Sequence, residues 1–306
     1  MKKFYKKKIV IFAYSQIGYD SIQILSKQNC KILYVITHIN HSNENIWFKS
    51  ISNLCKKLKI KLLYYEKTNF DSIFKKLIKH DIYCIFSFYF RKLIPTKILK
   101  LASVGAFNVH GSYLPKYRGR SPINWQIING EKISGVTYHF MDKEADSGNI
   151  IFQKKIKILK KDTAISLQKK INQESNKILI NNFKKIINNQ INSSKQNEKK
   201  ATIYGGRKPE DGLLSFGMNS KEVNNMVRGL SFPFPGAFFF YKKHKIVVNK
   251  CRISKNKIFS KENVFIRKNK LFFKAFDKKN LVIEEIIQNN KKIKGPKIIN
   301  YFKKIK

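Results

Sequence analysis

The first half of the chain alternates between two hydrophobic periods. Ile9-Val10-Ile11-Phe12-Ala13-Tyr14 is an unbroken apolar run closed by polar residues and Gly18, the pattern of a strand buried on both faces. From Asp20 the positions Ile22, Ile24 and Leu25 predict a helix, and Lys31 to Thr37 reads as a second strand, so the chain opens with a βαβ unit. Trp47 to Leu58 and Phe70 to Ile78 carry helical spacing, Ile82 to Phe88 is a strand, Pro95 to Leu101 a short helix and Ala106 to His110 another strand. Alternation of this length predicts an α/β domain whose mostly parallel sheet is covered on both faces, with ligands at the carboxyl ends of the strands.

Gly135 to Met141 and Ile150 to Ile158 read as two more strands. An amphipathic helix follows, capped by Asp162 and running to Ile187, with Leu167, Ile171, Ile178, Phe183 and Ile187 as its buried stripe. The polar run from Asn188 to Lys200 reads as a linker. Beyond it a short helix from Ser220 carries Val223, Met226, Val227 and Leu230, and a turn lies at Pro233 to Gly236. Short strands then follow at Ala237 to Tyr241, Lys245 to Val248, Asn263 to Arg267, Lys270 to Ala275 and Leu281 to Ile286. That pattern predicts a small β-barrel. The expected division is a first domain over 1–190, a linker over 191–203 and a second domain over 204–306.

At 306 residues and 42% hydrophobic, the chain can bury a sizeable core and is no disordered tail. Its 63 Lys and Arg against 19 Asp and Glu give a net charge of +44, which suggests nucleic acid or an anionic membrane. The lysines are scattered along the whole chain, as at Lys67, Lys75, Lys76 and Lys79, so a solvated surface accounts for them equally well. Cys30, Cys55, Cys84 and Cys251 form no CxxC pair, which argues against zinc and a disulfide framework. The basic start Met1 to Lys8 resembles the front of a signal peptide, but the apolar run after it is too short and no cleavage site follows, so a cytoplasmic protein is expected. No apolar stretch approaches the roughly 20 residues needed to span a bilayer.

The densest functional-looking segment runs from Phe107 to Trp125. On a strand, side chains two apart share a face, so Asn108 and His110 emerge together at the carboxyl end, where Gly111 and Pro115 begin a loop. An amide NH₂ can stabilise an oxyanion and an imidazole can move a proton near neutral pH. The cluster Asp142 to Gly148 follows the next strand and can bring Asp146 to the same edge. By residue type alone, a histidine at a strand end is more often a hydrogen-bonded structural group than a catalytic one. Ser112 follows the His-Gly pair without a Gly-x-Ser-x-Gly elbow, so a nucleophilic serine is not expected. His38 and His41 read as loop residues, His139 as a strand residue and His244 as part of a hairpin turn. Trp125 is either a pocket wall or a helix anchor.

The run Phe107 to Trp125, with Gly135-Val136-Thr137 and Asp146-Ser147-Gly148-Asn149-Ile150 downstream, resembles the signature of the 10-formyltetrahydrofolate-dependent formyltransferases. The resemblance implies a Rossmann-like formyltransferase domain followed by an OB-like barrel. It also implies a catalytic trio of Asn108, His110 and Asp146. The formyl donor 10-formyltetrahydrofolate would be held by Lys92, Leu93, Ile94, Arg120, Asp142, Lys143, Glu144 and Ala145, with no metal. Read alone, Leu93 and Ile94 suit core packing and Arg118 and Arg120 a solvated pair.

Val10 to Tyr14, Thr37-His38, Phe86 to Arg91, Tyr117 to Arg120, Gly206 to Asp211 and Met226 to Arg228 resemble the branch that formylates UDP-4-amino-4-deoxy-L-arabinose for lipid A modification. The implied partners are small molecules, folate and a UDP-aminosugar. The alternative acceptor is initiator methionyl-tRNA. Phe12 to Gln16 and Thr37 to Glu44 do not resemble the turn and basic loop of the tRNA enzymes, and the glycine-rich phosphate loop of the purine-pathway relatives is absent too. In the arabinose branch an NAD-dependent decarboxylase domain follows the formyltransferase, which leaves three readings here: a separate decarboxylase supplies the substrate, the acceptor is a different aminosugar, or the chain is a relic.

Overall fold

A computed structural model of the protein describes residues 7–41, 44–256, 258–289 and 291–305. Most of the basic start, Met1 to Lys6, lies outside the described residues, as do Ser42 and Asn43 of the loop after the second strand. The elements of the first half are β1 (Lys7–Ala13), α1 (Ser15–Leu25), β2 (Cys30–Thr37), α2 (Ile51–Lys57), β3 (Lys61–Tyr64), α3 (Phe70–Leu77), β4 (Ile82–Phe88), α4 (Thr96–Leu99) and β5 (Ala102–His110). Then come β6 (Arg118–Gly119), α5 (Pro122–Ile128), β7 (Ile133–Phe140), β8 (Ile150–Lys157), α6 (Ala164–Ile187) and β9 (Ile203–Tyr204). The last third holds α7 (Ser220–Leu230), β10 (Ala237–Tyr241), β11 (His244–Ile253), β12 (Val264–Arg267), β13 (Lys270–Lys274), β14 (Asn280–Gln288), β15 (Lys291–Lys294) and α8 (Pro296–Lys304).

Seven strands form one sheet in the order β3-β2-β1-β4-β5-β7-β8. β1 to β5 are parallel and β7 runs antiparallel to β5. The continuous apolar runs of β1 and β4 exist because both faces are covered. Val10 and Phe12 pack with Ile73 and Leu77 of α3 and Ile98 and Leu99 of α4. On the other face Phe86 meets Phe107 and Phe183 of α6. Each fully buried Phe or Ile contributes about 1.5–3 kcal/mol of transfer free energy.

Several expected boundaries shift for local reasons. α1 begins at Ser15, ahead of Asp20; Asp20 sits one turn inside the helix and accepts from Gln16 Nε2 at 2.7 Å. α2 starts only at Ile51, because the Ser50 side chain caps it by accepting from the Asn53 N–H. α6 is capped by Thr163, whose Oγ1 accepts from Ser166 N while Ser166 Oγ accepts from Thr163 N, a reciprocal capping pair. Asp162, the expected cap, instead accepts from Leu159 N and Ser166 Oγ. The buried stripe of α6 is Leu167, Ile171, Ser175, Leu179, Phe183 and Ile186, so Ile178 and Ile187 lie on its flank.

The described residues within Met1–Gly119, Ser134–Ile156 and Lys169–Tyr204 form one compact unit, and those within Arg120–Ile133, Lys157–Gln168 and Gly205–Lys306 a second. The second unit holds an antiparallel half-barrel sheet in the order β10-β11-β14-β13-β12, with β15 pairing β14. Its core gathers Val223, Val227, Phe239, Val248, Phe273 and Leu281. Among the described residues no helix is long and apolar enough to cross a membrane. The four cysteines are buried thiols outside any disulfide, and burial pushes Cys55, Cys84 and Cys251 up to about 12.

Candidate active site

The sheet brings together three side chains that lie far apart in the sequence. Asn108 and His110 stand at the carboxyl end of β5, and the loop after β7 returns Asp146 to them. Asn108 Nδ2 donates to Asp146 Oδ1 at 3.1 Å, and His110 Nδ1 lies 3.4 Å from Asp146 Oδ2. The other imidazole nitrogen of His110, Nε2, is 2.6 Å from the Tyr117 carbonyl. A carbonyl only accepts, so Nε2 carries the proton and Nδ1 faces the carboxylate unprotonated in neutral His110.

Backbone conformation sets this geometry. Tyr117 (φ 63) and Asp146 (φ 57) both adopt the left-handed region, a cost that such sites retain where the surroundings enforce it. Gly119 donates its N–H to Asp146 Oδ2 at 2.9 Å, and a Cβ at that position would stand 2.4 Å from the Tyr204 carbonyl oxygen. At Gly148 a Cβ would fall 2.0 Å from the Phe140 carbonyl oxygen. Gly148→Ala is therefore expected to cost about 1–3 kcal/mol in a denaturant titration, the range for forced overpacking, and to disrupt the Asp146 loop. Unchanged stability would contradict this placement.

The segment read as a linker also buttresses the loop. Gln196 Nε2 donates to the carbonyls of Asp146 at 2.7 Å and Gly148 at 2.8 Å. Arg118, only 4% exposed, grips Gln196 Oε1 and the carboxylate of Glu198.

Electrostatics separates the two titratable members of the trio. Burial alone would raise the Asp146 carboxyl, but the His110 imidazole, charged when protonated, and the Gly119 N–H help to outweigh it and hold the group well below the usual carboxylate range. Burial pushes His110 below its ordinary 6.5, and the Asp146 charge and Tyr117 carbonyl offset this only in part. At neutral pH the pair is an ionised Asp146 beside a neutral His110.

The other expected site residues separate. Ile94 is buried in the core, whereas Leu93 is 59% exposed and Lys92 is exposed with Nζ 5.9 Å above the Tyr65 ring. Asp142, Lys143, Glu144 and Ala145 form an exposed turn before Asp146, with Lys143 N donating to Asp142 Oδ1. Arg120 belongs to the second unit; its side chain is exposed, and a Cβ on Gly206 would meet its Nη1 at 3.1 Å. Trp125, partly buried on α5, donates its indole N–H to Gly205 O and lies under the Arg207 guanidinium.

Ser112 is fully buried and donates its hydroxyl to Lys116 O, which suits turn structure and not nucleophilic attack. His38 has a partner that the spacing did not reveal. Its Nδ1 donates to Glu66 Oε1 at 2.7 Å and its Nε2 accepts from Arg91 N at 3.1 Å, which ties the ends of β2 and β4 together. Among the described residues no group of three or more His, Cys, Asp and Glu is arranged to hold a metal ion.

Sequence reasoning missed His139, Tyr117, Gly119 and Gln196. His139 is found only through strand register, which sets it directly opposite Asn108. The other three act through backbone groups or through a polar segment that carries no motif.

A doubly covered, mostly parallel sheet carries an amide, an imidazole and a carboxylate together at its carboxyl edge, an arrangement with the donor, base and anion that acyl-type group transfer requires. The chain belongs to the formyl transferase family: the Formyl transferase model matches residues 7–183 and the Formyl transferase C-terminal domain model matches 207–303. It is similar to the bifunctional polymyxin resistance protein ArnA of Wigglesworthia glossinidia brevipalpis, with 38% identity over 308 residues that cover 95% of this chain and 46% of that protein. The chain thus spans about half the length of this curated relative. Its fold is like that of WlaRD, a sugar 3N-formyl transferase solved in the presence of dTDP and 5-N-formyl-THF, at TM-score 0.70 and 24% identity over 94% of this chain and 99% of that one. An N-formyltransferase from Helicobacter canadensis, solved with folinic acid and dTDP-3-aminofucose, superposes at TM-score 0.70 with 23% identity over 91% and 99% of the two chains.

Proposed function

We propose that the protein transfers the formyl group of 10-formyltetrahydrofolate to the 4-amino group of UDP-4-amino-4-deoxy-L-arabinose. The observation that carries the reaction is the contact set of Asn108, His110 and Asp146 in a formyl transferase chain. The acceptor rests on the likeness to the polymyxin resistance protein, and the donor is supported by the folates named with the two similar structures.

The amine nitrogen attacks the formyl carbon and the carbonyl oxygen gains the negative charge. Collapse of that tetrahedral species breaks the bond to N10 of the folate, which takes up a proton as the attacking nitrogen gives one up. Asn108 Nδ2 supplies the N–H for the oxygen. His110 is neutral at rest and able to accept the proton; with Nε2 committed to Tyr117, the proton goes to Nδ1 beside Asp146. The Asp146 carboxylate then compensates the imidazolium. Lys92 to Ile94 and Asp142 to Ala145 hold the donor, with Ile94 contributing backbone because its side chain is in the core. Arg120 is assigned by resemblance, its planar fork suited to a carboxylate.

The test offers the donor together with either the UDP-aminosugar or initiator methionyl-tRNA. Formylation of the sugar nucleotide alone is expected. Formylation of the tRNA alone would overturn the acceptor assignment and give the lysine-rich surface a role in phosphate binding, read as a steep fall in tRNA affinity with salt.

A further inference from the structure

A second imidazole, one that the mechanism above leaves unused, also flanks Asp146. His139 stands directly opposite Asn108 in the ladder between β5 and β7, so the two side chains share a face of the sheet. It is only 1% exposed. Its Nδ1 lies 2.7 Å from the Phe140 carbonyl, which can only accept, so Nδ1 carries the proton and Nε2 presents a lone pair.

That lone pair is 3.2 Å from Asn108 Nδ2 and Nε2 is 3.3 Å from Asp146 Oδ1, while Asn108 Nδ2 is 3.1 Å from the same oxygen. The three atoms form a nearly equilateral triangle. The two acceptors therefore subtend about 60° at the amide nitrogen, half the roughly 120° between its N–H bonds. One N–H is shared between His139 and Asp146, and the other points away from both. The shared N–H bridges the two acceptors and holds the arrangement together. Turning the amide oxygen inward would set it against a lone pair and a carboxylate at once.

We propose that His139 is a positioning residue for formyl transfer, locking the Asn108 carboxamide nitrogen-inward together with Asp146 and leaving the second N–H for the formyl oxygen. The inference rests on the reading of Asn108 as the oxyanion donor. Asp146 decides which amide atom faces inward, and His139 fixes the tilt of the amide plane.

His139→Leu removes the acceptor. It is expected to lower kcat roughly 10- to 100-fold, the scale of a small misplacement of a catalytic group, with the KM for donor changed less than about twofold. His139→Gln keeps a side-chain carbonyl and is expected to recover much of the loss. In an Asn108→Ala background His139→Leu should cost little more, because a residue that acts through Asn108 has nothing left to orient. Unchanged kcat in a folded His139→Leu protein, a Gln variant as impaired as Leu, or full additivity with Asn108→Ala would each overturn the proposal.

A readout that needs no turnover is the long-range ¹H–¹⁵N spectrum of His139 in the ligand-free protein. The Nδ1–H tautomer is expected, and a proton on Nε2 would overturn the proposal even if the wild-type protein formylated no sugar.

Discussion

His110→Ala is expected to lower kcat for formyl transfer by roughly 10²- to 10⁴-fold, the usual range for loss of a positioned acid–base group. No neighbour can replace it. Asp146, the nearest titratable group, is held ionised well below the usual carboxylate range and is too weak a base to take the amine's proton at neutral pH. His139 has its Nε2 turned to Asn108 and Asp146. The variant also removes the hydrogen bond from His110 Nε2 to the Tyr117 carbonyl, worth about 0.5–1.5 kcal/mol. Urea titration beside steady-state kinetics separates the two effects. A folded variant with near-normal turnover would remove His110 from the mechanism.

Asp146→Asn is the second large effect, and its sign differs between activity and acid stability. The substitution is nearly isosteric but leaves the charged form of His110 without its anion and exchanges a carboxylate that accepts from Asn108 Nδ2 and Gly119 N for an amide. We expect kcat to fall at least 10²-fold, because the imidazolium formed during transfer loses its compensating charge. The rate profile should move as well. In the wild type the acid limb lies below pH 6.5 because burial already lowers His110, and without the Asp146 charge the limb moves lower still.

Stability runs in the same direction for both groups. The folded-state pKa of each is depressed, so the unfolded chain binds more protons as the solution is acidified. His110 therefore weakens the fold below about pH 6.5, and the contribution of ionised Asp146 is lost below about pH 4. Asp146→Asn should remove the second loss and deepen the first, since His110 is then depressed further. Thermal denaturation across pH 7 to 3 checks this, and an unchanged acid slope would show that the carboxylate is not strongly stabilised by its neighbours.

Much of the fold was legible where the hydrophobic pattern is strong. β4 and β10 fall on the expected residues, Ile82–Phe88 and Ala237–Tyr241, since their runs end at turn residues or charges. β3, β15 and α8 escaped because their apolar positions sit among lysines, as in Lys61–Tyr64 and Lys291–Lys294, and α5 because its seven residues are too few to establish a helical period. β11 runs to Ile253, five residues past the expected Val248, since Lys250 and Arg252 occupy its exposed face and pair with Glu284. The trio was legible through a motif and a period of two, which place Asn108 and His110 on one strand face. His139 was not, because a lone histidine on a strand gains meaning only from antiparallel register. The buttress of Gln196 and Arg118 lay hidden in a stretch whose composition reads as a linker.

The most direct test of the account mixes the protein with 10-formyltetrahydrofolate and UDP-4-amino-4-deoxy-L-arabinose and follows tetrahydrofolate and the N-formylated sugar nucleotide together, in wild type and His110→Ala. One-for-one appearance of the two products in the wild type, slowed at least 10²-fold in the variant, is the predicted result. Release of tetrahydrofolate without formylated sugar, or equal rates in the two proteins, would contradict it.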